Sequence, residues 1–95
     1  MSDREYRYYA IVDENFSREN PFGLVRAWGT PPSTPDEETF APQLLWKPDN
    51  IIERIRRGSL YWDFEEITEQ EAEQVRKVLT KRFKKEMKES RRNIR

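Results

Sequence analysis

Period-two alternation marks the first ordered stretch of the chain. Across residues 6–13, Tyr6, Tyr8, Ala10 and Val12 fall on one side, and Arg7, Tyr9, Ile11 and Asp13 on the other. That is the spacing of a strand, and tyrosines and β-branched residues favour one. Apolar groups on both sides predict a central strand rather than an edge. Residues 22–28 repeat the pattern, with Leu24, Arg26 and Trp28 alternating against Val25 and Ala27. Between the two, residues 14–21 are polar apart from Phe16 and end in Asn20-Pro21, a turn signal, so a hairpin joins the strands. Residues 29–38, with three prolines and Asp36-Glu37-Glu38, read as a surface loop. Residues 39–47 predict a third strand, whose first half Pro42 confines to an edge or a bulge.

The period then changes. Pro48 cannot donate to a ladder and suits a helix entrance. Asn50, with Glu53 three residues on, forms a capping box, and Asp49 is the other candidate cap. Ile51, Ile52 and Ile55 share one helical face, and Glu53, Arg54, Arg56 and Arg57 the other. Gly58 supplies the left-handed residue that ends the helix. So short a helix cannot stand alone in water, so it lies on the sheet as a lid. Leu60, Tyr61, Trp62 and Phe64 must bury part of their area, and residues 65–67 predict a short fourth strand. Thr68 and Glu71 form a second capping box, with Ile67 and Ala72 as its hydrophobic staple.

A long helix follows. Its apolar stripe is Ala72, Val75, Leu79, Phe83 and Met87, with Val78 alongside, and nothing breaks it until about Ser90. Such a helix runs roughly 35 Å, longer than the body it packs on. Its first half is therefore core, and the part near Met87 frays or meets another chain. The sum is an α+β fold: a small antiparallel sheet of three to four strands, packed by one short helix and one long C-terminal helix, in the order β-β-β-α-β-α. Ile51, Ile55, Val75 and Leu79 are expected to face one another in its core. Residues 1–95 make a single domain, with 1–5 and about 88–95 as flexible ends.

Composition sharpens this picture. Apolar residues are 35% and charged residues 38%, so the core is small. Aromatics at 13% compensate, because each large ring hides about 150–250 Å². There is no cysteine and no histidine, which removes a disulfide framework, the usual nucleophile–base pairs and zinc sites built from those ligands. No signal peptide is expected, and no apolar run approaches the ~20 residues of a membrane span. The expectation is a cytoplasmic protein. The formal net charge of zero hides a split: residues 1–75 carry 8 Lys/Arg and 16 Asp/Glu, and residues 76–95 carry 10 Lys/Arg and 2 Asp/Glu.

Three sets of residues are candidates for function. Tyr6, Tyr8, Tyr9, Trp28, Trp46, Tyr61 and Trp62 exceed what one face of a small sheet can hide, and exposed Tyr and Trp anchor protein interfaces. Trp28, Tyr61 and Trp62 are the candidate protein-binding residues, with one ring of the Tyr61-Trp62 pair expected in solvent. Lys81, Lys84, Lys85, Lys88, Arg91 and Arg92 could follow a nucleic-acid backbone. The bland reading is a solvated helix end that complements its own macrodipole. Asp36, Glu37 and Glu38, and likewise Asp63, Glu65 and Glu66, could hold a divalent cation or act as an acid–base pair, against simple exposure of loop and strand ends. No cofactor and no metal is expected.

Several segments together resemble a group of small bacterial proteins of the actinobacterial type. They are Tyr8-Tyr9-Ala10, Arg18-Glu19-Asn20-Pro21 with Gly23-Leu24, Asp36-Glu37 through Phe40, Leu45-Trp46-Lys47-Pro48, Gly58, Glu66-Ile67-Thr68 and Glu71-Ala72-Glu73. The resemblance spans most of residues 8–75 and implies no activity and no functional residue. The sequence therefore points first to a small soluble non-enzymatic protein-interaction module, acting on a protein partner or on itself as a homodimer through the overhanging helix. A nucleic-acid accessory protein is the alternative. A carboxylate-based enzyme or divalent-cation binder is the second alternative.

Overall fold

The protein, seen in a computed structural model, is described for residues 5–29 and 35–93, with side chains to residue 88. Strands β1 (Arg7–Val12), β2 (Gly23–Trp28), β3 (Asp36–Phe40) and β4 (Trp46–Asp49) precede helix α1 (Ile51–Arg56). Strand β5 (Asp63–Ile67) and helix α2 (Glu69–Asn93) complete the chain. All pairings are antiparallel, and the sheet order is β4-β3-β2-β1-β5. The fold is thus the expected α+β arrangement, with β1 central as its two apolar faces require. The ends expected to be flexible fall partly outside the described residues, and the backbone of 88–93 continues α2.

The sheet has five strands because the third predicted strand is two. Its residues 39–47 divide between β3 and β4 around a turn at 41–45. In that turn the Ala41 N–H donates to the Leu45 carbonyl and the Leu44 N–H to the Ala41 carbonyl, each at 2.8 Å. Leu44 takes φ of 64° there, a left-handed conformation uncommon for its side chain. Asp36, Glu37 and Glu38, expected in a loop, lie in β3 because alternation sends their charges to opposite faces. Pro48 sits in β4 opposite Glu38, on an outer strand where its missing N–H breaks no ladder.

Two separate cores flank the sheet. Ala10, Val12, Leu24, Phe40 and Ile67 pack against Ala72, Val75 and Leu79 of α2. On the other face Tyr9, Ile11, Val25 and Ala27 pack against Ile52, with Ile51, Ile55, Trp62 and Phe64 around them. Ile51 and Ile55 therefore do not face Val75 and Leu79, as the sequence led us to expect. The sheet lies between them, because β1 and β2 are apolar on both sides and each side needs its own cover.

Local caps divide in the same way. The Thr68–Glu71 box forms: the Thr68 N–H donates to Glu71 Oε1 at 3.0 Å, and the Glu71 N–H to Thr68 Oγ1 at 3.1 Å. At α1 the expected box does not form, and the Asn50 side chain makes no capping bond. Glu37 of β3 takes that role, accepting from the Ile52 N–H at 2.8 Å and the Glu53 N–H at 3.1 Å. Asp49 instead accepts from the Thr39 hydroxyl and from the Asn50 N–H. Gly58, with φ of 79°, ends the α1 segment as read from the sequence.

The loop between β1 and β2 is tied down by Arg18. Its guanidinium donates to both oxygens of Glu71, at 2.7 and 2.8 Å, and to Glu65 at 3.3 Å. Arg18 above all, with the Thr68 N–H, lowers the Glu71 pKa from the ordinary 4.5 to about 2. A carboxylate more acidic in the folded chain than in the unfolded one adds stability above the ordinary value and loses it as pH falls toward the folded value. Thermal melts of the wild type are therefore expected to fall between pH 4.5 and pH 2. That fall should be shallower in Arg18→Ala, and an unchanged pH profile in the variant would count against the Arg18–Glu71 pair.

Candidate functional site

A groove of about 690 Å³ opens where the β1–β2 loop, the β3–β4 hairpin, α1 and the second half of α2 converge. Its aromatic lining comes from four elements: Phe16 and Phe22 in the β1–β2 loop, Phe40 at the end of β3, Trp62 ahead of β5, and Phe83 on α2. The Trp62 and Phe22 rings stack with centroids 4.2 Å apart and planes 22° from parallel. Phe16 meets the Phe22 ring edge-on at 5.6 Å. Phe22 nevertheless remains 47% exposed, so this stack is a floor open to solvent rather than interior.

The same end of the molecule collects much of the remaining exposed apolar surface. Leu44 and Leu45 project from the hairpin turn, Leu45 being 60% exposed, and Tyr61 is fully exposed beside Trp62. The expected division of the Tyr61-Trp62 pair is what the strand entrance produces. Trp62 turns in against Phe22 and the α1-side core, and Tyr61 turns out. Leu44, Leu45 and Phe22 each look ordinary in the sequence. The neighbouring turn and strand-start residues were the only signal that could have marked them.

Charge in the groove is uneven. Lys47, Arg54 and Arg82 line it, with Asp49 and Glu86. Arg54 lies 3.6 Å from Asp49, and its Nε is buried without a hydrogen-bond partner. Arg82 donates to the neutral side chain of Asn20 and lies over the Phe16 ring, 5.5 Å from its centroid. Among the described residues neither Lys47 nor Arg82 meets a carboxylate within ion-pair distance.

Trp28 belongs elsewhere. It meets Tyr6 edge-on at 5.5 Å, on the α2 side of the sheet and at the end opposite Trp62. The three candidate protein-binding residues therefore do not form one patch. Around Trp28 the dominant feature is Arg26, whose guanidinium lies 4.4 Å from the Tyr6 ring centroid and 4.2 Å from that of Trp46 while pairing with Glu38 at 2.7 Å. Rings on two sides and a carboxylate satisfy this cation internally, so it rivets β2, β3 and β4 to the segment just ahead of β1.

The basic residues Lys81, Lys84, Lys85 and Lys88 are exposed on α2. Helical spacing puts them on the side away from the stripe of Leu79 and Phe83. The side chains of Arg91 and Arg92 lie outside the described residues. The acidic candidates are dispersed: Glu37 caps α1, Glu38 pairs with Arg26, and Glu65 meets Arg18. Among the described residues no three carboxylates converge as a metal ion would require, and no helix is long and apolar enough to cross a membrane. Comparison with protein families, curated proteins and solved structures finds no match to this chain.

Proposed function

We propose that this chain is a non-enzymatic protein-interaction module, and that the groove beside Trp62 receives a segment of a partner protein. The observation that carries this reading is the Phe22 ring, stacked on Trp62 and 47% exposed at the groove. An aromatic held rigidly and left half in water loses little entropy on binding and gains the burial of its open face. The absence of histidine and cysteine supports a binding role over covalent catalysis. A cytoplasmic setting suits a chain without cysteine.

Display of random peptides tests this. Peptides selected on the wild-type protein are expected to lose about tenfold or more in affinity toward Phe22→Ser, the size of effect a buried anchor carries. Because Phe22 is already half in solvent, the variant keeps its fold. Selected peptides indifferent to Phe22→Ser, or no enrichment at all, would defeat the proposal.

The second reading is a nucleic-acid accessory role, favoured by Lys81, Lys84, Lys85 and Lys88 lying together on one exposed stretch of α2. It requires binding that weakens steeply with salt and in a Lys84→Gln, Lys85→Gln variant.

A further inference from the structure

We infer that the occupant of the groove is an acidic amphipathic helix of a partner protein, its apolar side chains entering between Trp62 and Phe83 and its carboxylates meeting Lys47 and Arg82. This rests on the groove being a docking surface, as proposed above, and adds the chemistry of what docks.

Three observations lead to it. First, strand addition is closed on this side. The outer strand β4 is four residues long and includes Pro48, which has no N–H to offer. Recognition must then proceed through side chains in a trough, which is how an amphipathic helix is held. Second, the accessible rings of the trough come from three separate elements, Phe16 and Phe22 from the β1–β2 loop, Trp62 ahead of β5 and Phe83 on α2, with the buried Phe40 behind them, so its apolar strip faces several successive side chains of a guest rather than one. Third, its charge is incompletely balanced. Asp49 is engaged by Arg54 and by the Thr39 hydroxyl. Arg82 meets only the neutral Asn20 side chain and the Phe16 ring, and neither it nor Lys47 has a carboxylate within ion-pair distance among the described residues. From α2 the lining takes Arg82 and Glu86, so the groove as a whole carries Lys47, Arg54 and Arg82 against Asp49 and Glu86. Cations beside apolar walls select carboxylates and reject ammonium groups.

The fold thus joins residues that lie apart in the sequence, the rings of Phe22, Trp62 and Phe83 and the cations Lys47 and Arg82. Neither alone specifies a partner. Together they describe a guest with an apolar stripe and an acidic flank.

Three synthetic helical peptides of about 14 residues test the inference. They share one leucine stripe and carry Glu, Gln or Lys on the polar face. The Glu peptide is expected to bind about tenfold more tightly than the Gln peptide, and the Lys peptide most weakly. Its advantage should shrink when salt is raised from about 50 to about 500 mM, and in a Lys47→Gln, Arg82→Gln variant. Equal binding of all three, lost in Phe22→Ser, would overturn the acidic assignment while leaving the groove a docking surface. No binding by any of them would overturn both readings. Tighter binding of a short single-stranded DNA or of anionic vesicles than of the Glu peptide would also overturn the assignment. Self-association abolished by Phe22→Ser would make a second copy the occupant, with the same consequence.

Discussion

Replacing Leu79 by alanine is expected to destabilise the fold by about 2–5 kcal/mol, the range for a buried leucine whose cavity cannot fully close. Leu79 is 0% exposed and packs in one cluster with Ala10, Val12, Leu24, Phe40 and Ile67, contributed by four strands. Rigid strands on one side and the helix backbone on the other leave little room to relax. For a domain of this size each kcal/mol lowers Tm by about 4–8 °C, so the loss is large in a thermal melt. Met87→Ala, two turns further along α2, is expected to change stability by less than about 0.5 kcal/mol, because Met87 is 50% exposed. The pair of measurements locates where α2 leaves the body. Similar losses at both positions would mean that the end of the helix is packed, against an overhang.

Removal of the Glu37 carboxylate is expected to cost about 1–2 kcal/mol, the worth of a helix cap whose partners are left without acceptors. Glu37 is only 8% exposed, and its two oxygens serve the Ile52 and Glu53 amides at the start of α1. Asn50→Ala should be near neutral, since that side chain makes no capping bond. Glu37→Gln should fall between, keeping one acceptor and losing the other. Urea unfolding distinguishes the three, and an Asn50→Ala loss equal to that of Glu37→Ala would refute the cap from β3.

The same carboxylate has a pH signature opposite to that of Glu71. Desolvation, opposed by its two amide donors, raises the Glu37 pKa above the ordinary 4.5. A group that holds its proton more tightly when folded contributes stability below the unfolded value and loses it as pH rises through the folded one. Glu37→Gln should flatten that part of the profile just above pH 4.5, where the Glu71 contribution is already fully present.

Whether a feature could be read from the sequence depended on the distance to its partner along the chain. Alternation in residues 6–13 and 22–28 announced β1 and β2, because a strand with apolar groups on both sides needs no knowledge of its neighbours. The Thr68–Glu71 box and the turn at Gly58 close within a few residues, so sequence and structure agree on them. The acidic run at 36–38 was read as the end of a proline-rich surface loop. In the fold Glu37 finds two amides of α1 and Glu38 finds Arg26, and with those partners supplied the run becomes a strand. The same holds for the candidate site. One ring of the Tyr61-Trp62 pair was expected in water, and the structure decided that it is Tyr61, but the exposed ring of Phe22 was not foreseen.

The linear pattern by itself determined that this is an α+β protein with a central two-faced strand, a short helix, a long capped helix and no histidine or cysteine chemistry. Those properties follow from periodicity, capping and composition, which are local. Only the tertiary structure decided that the two helices lie on opposite faces, that a strand carboxylate caps α1, and that Phe22, Trp62 and Phe83 meet Lys47 and Arg82 around one groove. Each of those pairings joins residues far apart in the chain, and their energies arise from burial and charge neutralisation that exist only once the sheet has brought them together.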